Sequence, residues 1–440
     1  MRFLLTLFLI SYIGLTGCSR GTPVEEITPT ASSASDTPAF VPRETDWPNW
    51  RGPNGNGIAV SPTAPTKWSE SENIVWKNAV PGRGHSSPVV CEELVFLTTA
   101  LENPQSHWVL AYDRATGEEK WQKEIHQGGF PPANKMHGKG SHSNGTLACD
   151  DQTLFIAFLT NDEIVATALN FDGEVVWTTK LGAFDSKFGY APSPAIYQSL
   201  VIFAADNQGG GYLAGLDRRS GEIVWRKARS RSSTYSSPVV GHVGGRDQLL
   251  ISGGYEVASY DPNSGELLWS CEGTTDATCG TMVWNETMVF ASGGYPDNET
   301  LAVFGDGSGN IVWSNRVKSY EPSMLVVGDE LYAVTDSGIA HCWDAATGKL
   351  HWKKRLAGNF SASAVFCNGN IYVPNLSGTT FVFAADPEAY QEVTQNRLGD
   401  DAYGSPAICD GKVFLRVGHE VNGKRQEQLY CIGSNNEANR

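Results

Sequence analysis

An internal repeat constrains this sequence more than any other feature. In each copy an apolar strand ends in Asp, a short turn containing Gly follows, and the next strand reaches Trp. An Asp side chain can accept hydrogen bonds from its own turn, Gly supplies the positive φ that ends the turn, and Trp fills space between neighbouring sheets. The copies run over residues 113–121, 217–225, 261–269, 306–313 and 344–352, with a shortened copy at 172–177, a degenerate copy from Asp386 with Val393 near the Trp position, and a lone Trp76 in the strand 73–80.

A second pattern gives the same count of eight. After each of these strands comes a segment of small residues, often Ser-Pro, and most of these segments are 40–49 residues apart, with one spacing of 57. This period accommodates four short strands per unit, and such units need their neighbours to bury a core. The segments centre on Ser87, Asn144, Ser193, Ser237, Gly280, Ser323, Ser363 and Ser405. The sequence therefore predicts an all-β, eight-bladed β-propeller with four antiparallel strands per blade.

The order of the units predicts how the ring closes. The last unit begins at Ser405 and has material for three strands, near residues 407–409, 413–417 and 428–432. The N-terminal strand 73–80 lacks a blade of its own, so we expect it to supply the fourth strand. Closure of this kind removes the open sheet edges of the first and last blades.

The N-terminus has the pattern of an exported lipoprotein. Arg2 precedes an apolar run over residues 3–13, which is too short to span a bilayer, and Leu15-Thr16-Gly17-Cys18 matches the bacterial lipobox. We therefore expect Cys18 to carry lipid, and Ser19 after it favours the outer membrane. The predicted segments are a signal peptide at 1–17, a lipidated flexible tether at 18–45, the propeller at 46–433 and a disordered tail at 434–440.

The repeat resembles the PQQ-like β-propeller repeat family. That family includes quinoprotein dehydrogenases and the non-catalytic lipoprotein of the outer-membrane β-barrel assembly machinery. The opening Trp47-Pro48-Asn49-Trp50-Arg51-Gly52, with residues 82–88 further on, is similar to exported proteins of the planctomycete type. The resemblance covers residues 47–433. It implies an exported protein, anchored in the outer membrane and facing the periplasm.

The resemblance leaves several functions open. The catalytic branch uses a disulfide between adjacent cysteines and an acidic calcium site, and this chain has neither a Cys-Cys pair nor an evident acidic cluster. The first hypothesis is therefore a non-catalytic binding or scaffold protein with no cofactor, PQQ and calcium being unsupported. The alternatives are a PQQ-dependent oxidoreductase and a glycan- or polymer-binding protein. The formal net charge of −15 makes nucleic acid an unsuitable partner.

The loops that precede the inner strands form the predicted binding rim. In a propeller these loops surround one mouth of the central channel, and aromatic and charged side chains there suit a protein or glycan partner. The candidate rim residues are Arg83, His85, His142, Tyr190, Arg231, Tyr235, Tyr320, Glu321, Asp401 and Tyr403.

Two cysteines and two histidines are candidates for a disulfide and for a metal site, respectively. Cys271 and Cys279 flank one loop, eight positions apart, and form a candidate disulfide in an exported protein. Most other cysteines recur at equivalent positions of the repeat, which indicates a buried packing role. His137 and His142 lie in the longest inter-blade loop without a third ligand in view, so the sequence predicts no metal site.

Overall fold

The computed structural model describes residues 24–30 and 37–433. Cys18, the signal peptide at 1–17 and the tail at 434–440 lie outside the described residues. The described part contains eight separate four-stranded antiparallel sheets, and its one helical element is a short 3-10 helix, Ala133–Lys135. The all-β, eight-bladed prediction is confirmed. Within these ranges no helix has the length and apolarity needed to cross a membrane.

Blades 1 to 4 follow one another along the chain, each built from four consecutive strands in the order of the sheet. A single strand, β1 (Ile74–Val80), precedes them. The strands are β2 (Val89–Cys91), β3 (Leu94–Glu102), β4 (Gln105–Asp113) and β5 (Glu119–Gln127) in blade 1; β6 (Ala148–Cys149), β7 (Thr153–Thr160), β8 (Glu163–Asn170) and β9 (Val175–Ala183) in blade 2; β10 (Ala195–Tyr197), β11 (Leu200–Ala204), β12 (Gly211–Asp217) and β13 (Ile223–Arg229) in blade 3; and β14 (Val239–Val243), β15 (Arg246–Ser252), β16 (Glu256–Tyr260) and β17 (Leu267–Glu272) in blade 4.

Blades 5 to 7 repeat this order, and blade 8 combines the two ends of the domain. The first strand of each blade contacts the first strands of its neighbours, so these strands line the central channel. The strands are β18 (Val283–Trp284), β19 (Met288–Gly293), β20 (Glu299–Phe304) and β21 (Ile311–Asn315) in blade 5; β22 (Leu325–Val327), β23 (Glu330–Val334), β24 (Ile339–Asp344) and β25 (Leu350–Arg355) in blade 6; β26 (Val365–Cys367), β27 (Asn370–Pro374), β28 (Thr379–Ala384) and β29 (Glu392–Arg397) in blade 7; and β30 (Ala407–Cys409), β31 (Lys412–Val421) and β32 (Lys424–Ile432) in blade 8.

The N-terminal strand closes the ring as predicted. Strand β1 pairs antiparallel with β32, with Trp76 opposite Cys431 and Val80 opposite Glu427. The sheet of blade 8 therefore has four strands, and its outer edge comes from a segment more than 340 residues away in the chain. Because β1 covers it, β32 is not left as an open edge strand at the outside of blade 8.

The repeated Trp packs between neighbouring blades. The ring of Trp76 in blade 8 lies over Gly117 in the turn of blade 1, so closely that a Cβ atom at Gly117 would be 2.5 Å from the ring. The backbone there has φ of +73°, which is a second reason for Gly. The indole N–H of Trp76 donates to the carbonyl of Arg114 in blade 1 at 2.9 Å. In the same way, the indole N–H of Trp177 in blade 2 donates to the carbonyl of Arg218 in blade 3.

Blade 7 lacks the repeat Trp, and Trp68 takes its place. In five other blades the repeat Trp packs against an aromatic ring on the second strand of its own blade, as Trp121 does against Phe96 with centroids 6.0 Å apart. In blade 7 the second-strand residue is Tyr372, and Trp68 stacks on it at 6.4 Å. Trp68 is buried, and Asn396 of β29 accepts a hydrogen bond from its backbone N–H. The segment before β1 therefore fills the gap left by the degenerate repeat.

A ring of Ser and Thr hydroxyls connects the blades around the channel. At seven of the eight junctions the backbone N–H of one residue donates to the hydroxyl of its counterpart in the next blade, at 2.8–2.9 Å. At the eighth, between Ser237 and Thr281, the Thr281 hydroxyl accepts from the indole N–H of Trp50 instead. The last such bond runs from Ser405 back to Ser87. In two blades the residue of the ring lies one or two positions beyond the predicted centre of the small-residue segment. These residues are Thr146, rather than Asn144, and Thr281, rather than Gly280. The ring consists of Ser87, Thr146, Ser193, Ser237, Thr281, Ser323, Ser363 and Ser405.

The two ends of the channel differ. Chain direction places the loops between blades at one end, called the mouth face here, and the turns that begin at the repeated Asp at the other end, called the far face. Residues 46–63, called the crossing segment, run across the far face. Its Trp47 pairs with Val90 in blade 1, and its Trp50 donates to Thr281 at the entrance of blade 5, which lies opposite in an eight-blade ring.

The crossing segment is bound by buried polar contacts. Arg51 is 2% exposed and donates to the carbonyl of Met324 in blade 6 at 2.5 Å. Burial disfavours the charged guanidinium and lowers the pKa of Arg51 to about 9. Further along, Ser61 accepts a hydrogen bond from the backbone N–H of Gly411 in blade 8. The segment thus joins blades that are not neighbours.

Part of the expected tether is packed on the propeller. Ile27 forms an antiparallel bridge with Arg226 on β13, the outer strand of blade 3, with N–H to O distances of 3.0 and 2.9 Å. Residues 37–43 continue along the far face, where the carbonyl of Pro38 accepts a hydrogen bond from Arg218. These contacts differ from the flexible tether expected over residues 18–45.

The cysteines pair differently from the expectation. Cys91 and Cys149 form a disulfide between the inner strands of blades 1 and 2, 58 residues apart in sequence. Cys271 and Cys279 are both free thiols, so the pairing expected from their spacing is not present. Cys271 lies on the outer strand β17, whereas Cys279 lies in the loop at the channel, and their sequence proximity does not bring them into one bond. The remaining described cysteines are buried and free, in agreement with a packing role.

Candidate functional site

The loops between the blades surround a cavity of about 200 Å³ at the mouth face. Each loop joins the outer strand of one blade to the inner strand of the next, so its side chains can reach the channel axis from eight directions. Five of the predicted rim residues line this cavity: His85, Tyr235, Tyr320, Glu321 and Tyr403. The structure thus brings together residues that are as much as 318 positions apart in the sequence.

Two more of the predicted residues belong to a neighbouring cavity. Arg83 and His142 line a second cavity, of about 220 Å³, beside the mouth. The guanidinium of Arg83 donates to the carbonyl of Lys139 at 3.3 Å, and the His142 ring stacks on Phe130 with centroids 4.0 Å apart. These contacts hold the long loop between blades 1 and 2 in place, and they keep both side chains outside the central cavity.

The other three predicted residues do not line the cavity. Tyr190 points into blade 3, where its ring is buried and its hydroxyl donates to the carbonyl of Ala204 at 3.0 Å. Arg231 is exposed and lies away from the lining residues. Asp401 forms an ion pair with Arg425 behind the cavity wall. The direction of a loop side chain relative to the channel is not encoded by residue type alone.

One wall of the cavity is a stack of planar groups. The rings of His85 and Tyr403 are parallel, with centroids 4.2 Å apart and an interplanar angle of 6°. The guanidinium of Arg425 lies 5.7 Å from the Tyr403 ring. Burial, together with the positive charges of Arg83, Arg416 and Arg425, holds the pKa of His85 well below its usual value. The imidazole is therefore neutral at pH 7 and presents a flat, uncharged surface.

An ion pair spans the cavity. The Lys139 ammonium, from the long loop after blade 1, lies 2.8 Å from the Glu321 carboxylate, which enters from the loop before blade 6. Burial opposes the charge of Lys139, but the hydrogen bond and the charge of Glu321 outweigh it, and the pKa of Lys139 is raised. Ser361 also donates to Glu321.

The loop that carries Glu321 is fixed by a buried carboxylate. Asp336 accepts the backbone N–H groups of Tyr320 and Glu321 at 2.8 and 2.9 Å. Burial of this carboxyl raises its pKa, while the two backbone hydrogen bonds act against that rise. The positions of Tyr320 and Glu321 therefore depend on a residue that does not line the cavity itself.

Two buried polar atoms at the cavity have no hydrogen-bond partner among the described residues. They are Nε2 of His85 and the hydroxyl of Tyr235. Asn144 and Ser233 lie near them but outside hydrogen-bond geometry. Burial raises the pKa of Tyr235 and of Tyr320, so both phenols keep their protons and remain donors. An unsatisfied buried polar atom costs about 1–3 kcal/mol, and a bound ligand with matching groups would recover part of that cost.

Several lining residues were absent from the predicted rim. They are His137, Lys139, Asn144, Phe188, Cys279 and Ser361, together with small residues. The signal for Lys139 was the 57-residue spacing, because the extra length forms a loop that folds over the mouth. The signal for Phe188 was weaker, since an exposed aromatic in a loop has no periodicity that marks its direction.

The residues of the cavity do not fit the quinone and calcium of the catalytic branch. That quinone carries three carboxylates, and its calcium needs several oxygen ligands. Among the described lining residues the one Lys or Arg is Lys139, which is already paired with Glu321. No group of three or more His, Cys, Asp or Glu side chains suited to a metal ion occurs within residues 24–30 and 37–433.

Comparison with known proteins identifies related sequences. A model of the family described as outer membrane protein assembly factor BamB matches residues 64–128, 105–354 and 297–393. The outer membrane protein assembly factor BamB of Bordetella pertussis is 26% identical over 185 residues. That alignment covers 38% of this chain, and the chain spans 45% of the length of the relative.

Solved structures with the same fold come from two groups. A europium-containing methanol dehydrogenase superposes with a TM-score of 0.67 at 11% identity, over 89% of this chain and 98% of the other. BamB from Moraxella catarrhalis superposes with a TM-score of 0.57 at 15% identity, over 81% and 96%. A quinohemoprotein alcohol dehydrogenase from Comamonas testosteroni gives 0.62 at 12% identity, over 92% and 82%. At these identities the superpositions establish the fold alone.

Proposed function

The chain belongs to the family described as outer membrane protein assembly factor BamB, and we propose from this membership that it is a non-catalytic binding or scaffold module. In this proposal a lipid on Cys18 holds the propeller at the outer membrane, on the periplasmic side. The partner is a protein that binds at the mouth face. Because the residues of the mouth cavity do not fit the quinone and its calcium, a binding role is better supported than a quinone-dependent reaction.

The observation that carries the proposal is the chemistry of the mouth cavity. It combines flat aromatic surfaces at His85 and Tyr403, further tyrosines at 235 and 320, and the Lys139–Glu321 ion pair. Aromatic anchors in partly enclosed, desolvated positions are typical of the residues that contribute most to binding at protein interfaces. The unsatisfied atoms on His85 and Tyr235 supply direction to such an interaction.

Removing two of the aromatic anchors should weaken partner binding. We expect the double variant Tyr235→Ala, Tyr320→Ala to lose about 1–3 kcal/mol of binding free energy, which is the range of true interface anchors. The partner is first captured from solubilised membranes by the lipidated protein, and its affinity for each variant is then measured by calorimetry. Circular dichroism establishes that the fold is retained.

The chain offers a matched control for this experiment. Tyr255 and Tyr295 lie in hairpins on the same face, 49% and 56% exposed, and outside the mouth cavity. The variant Tyr255→Ala, Tyr295→Ala also removes two tyrosine side chains, but ones outside the cavity, and should leave the affinity for the partner unchanged. Equal losses in both double variants would exclude the mouth as the binding site. Capture of polysaccharide enzymes would favour the glycan-binding alternative, and stoichiometric PQQ with turnover of an alcohol would contradict the non-catalytic proposal.

Cys18 should be the first residue of the mature chain and should carry lipid. The lipobox at residues 15–18 behind a short apolar run is the reason for this expectation. Mass spectrometry of the protein purified from membranes measures it directly. A chain that still begins at Met1, with an unmodified Cys18 thiol, would contradict the lipid anchor.

A further inference from the structure

The residues that follow the proposed lipid site are attached to one side of the propeller. Ile27 forms its two backbone hydrogen bonds with Arg226 in the middle of β13, the outer strand of blade 3. The Glu26 carboxylate accepts the next free backbone N–H of that strand, from Ala228, at 3.1 Å, and lies 3.6 Å from the Lys227 ammonium. Three consecutive residues of β13 therefore bind this short segment.

The segment has a defined direction along blade 3. Val24 packs against the hydrophobic cluster of blades 2 and 3 and approaches Gly210, in the hairpin between β11 and β12. That hairpin lies on the mouth face, because strand two of each blade ends there. Pro38, later in the chain, is on the far face beside Arg218. The chain therefore descends from the mouth face to the far face between residues 24 and 38.

Only five residues separate Val24 from Cys18, so the two Cα atoms are six residue steps apart. A chain of six residues spans at most about 20 Å even when fully extended. Strand β13 has seven residues, so the far face is about 23 Å below the mouth face at this blade. A lipid on Cys18 can therefore reach a bilayer most directly from the mouth-face edge of blade 3.

One pair of groups on the mouth face, beside the mouth cavity rather than at the outer edge of blade 3, suits a lipid surface. Phe188 is 37% exposed on the mouth face, and the Lys187 ammonium lies 5.3 Å from its ring. A Lys beside an exposed aromatic ring is a common pairing at the boundary between head groups and water.

From these contacts we infer that the propeller is held with the mouth-face edge of blade 3 against the membrane, so that the binding cavity opens near the bilayer surface. The inference rests on the lipid anchor of the proposed function and adds the orientation to it. A partner bound at the mouth would then be embedded in the membrane or lie close to it.

The two ends of one outer strand test this orientation. Ala183, at the mouth-face end of β9, and Val175, at its far-face end, are both exposed and are about 26 Å apart along the strand. A fluorophore is placed at each position in turn through an incorporated unnatural amino acid. The full lipidated protein is then bound to phosphatidylethanolamine–phosphatidylglycerol vesicles that carry a head-group nitroxide. We expect quenching at position 183 to exceed that at 175 by about twofold or more, because nitroxide quenching acts over distances much shorter than the strand.

Releasing the docked segment should remove this difference. Ile27→Pro deletes the N–H that donates to Arg226, whereas Thr28→Pro changes an exposed neighbour whose N–H is not part of the bridge. In the Ile27→Pro variant, fluorophores at positions 183 and 175 should be quenched equally. In the Thr28→Pro variant, the difference in quenching should be that of the parent. Equal or reversed quenching in the parent, with the protein bound to vesicles, would overturn the orientation alone. A protein purified from membranes that does not bind vesicles would overturn both the anchor and the orientation.

Discussion

A chain that starts at Pro81 should aggregate or unfold at growth temperature, whereas a chain that starts at Asp46 should fold as the full protein does. The shorter chain lacks β1, so the edge of β32 is left unpaired from Glu427 to Ile432. An exposed edge strand of this length is a template for pairing with other chains. It also lacks the crossing segment and Trp68, both of which are buried against several blades.

Point variants measure the contribution of the closing strand β1 while the crossing segment stays in place. Trp76→Ala removes a ring that is 8% exposed and packs on Gly117, and we expect it to cost about 3–5 kcal/mol of unfolding free energy. Val75 is on the same strand but 37% exposed, and Val75→Ala should cost less than about 1 kcal/mol. Urea unfolding measures both. If the chain that starts at Pro81 had the melting temperature of the parent, closure of the ring by β1 would be refuted.

Glu427→Ala should be the most damaging single substitution among the charged residues of blade 8. The Arg416 side chain is 2% exposed and Glu427 is fully buried, and Arg416 Nε donates to Glu427 at 2.6 Å. Arg416 also donates to the carbonyl of Thr98 in blade 1 at 2.7 Å, so the pair lies at the junction of the last and first blades. Removing one partner of a buried ion pair leaves an uncompensated charge and costs about 3–5 kcal/mol.

Two further variants test the cause of that loss. Glu420→Ala removes an exposed carboxylate from the neighbouring strand β31 and should change stability by less than about 0.5 kcal/mol. Arg416→Met combined with Glu427→Leu removes both charges, and we expect it to recover most of the loss because no unpaired charge stays buried. The urea midpoint at constant slope reports each effect. A double variant as unstable as Glu427→Ala would show that packing, rather than charge, governs this junction.

The blades and their closure were predictable because they follow from repetition. A turn that needs Gly at positive φ and a Trp that fits over the next turn recur at a fixed period, as at Gly117 and Trp76. Each copy independently supports the same architecture, so a degenerate copy such as that at Asp386 does not obscure the count. The Ser/Thr ring was recognised as a pattern, although two of its members were displaced by one or two residues.

Features that occur once were not predictable in the same way. Trp68 has no repeat partner in the sequence, and only the stacking on Tyr372 shows that it replaces a missing Trp. The disulfide between Cys91 and Cys149 joins two positions whose equivalence in the repeat indicated packing. For the mouth, residue type predicted five lining side chains, but it could not predict that Tyr190 is buried in its blade with its hydroxyl bonded to the carbonyl of Ala204.

The crossing segment determines how anything enters or leaves the channel. Because it runs between opposite blades on the far face and places Trp50 against the hydroxyl ring at Thr281, the described residues form a socket whose far end is covered by the crossing segment. A polymer cannot be threaded through such a socket, and a bound segment must withdraw along the path by which it came. The propeller is therefore suited to holding a chain end or a protruding loop of its partner, and unsuited to processive movement along a strand.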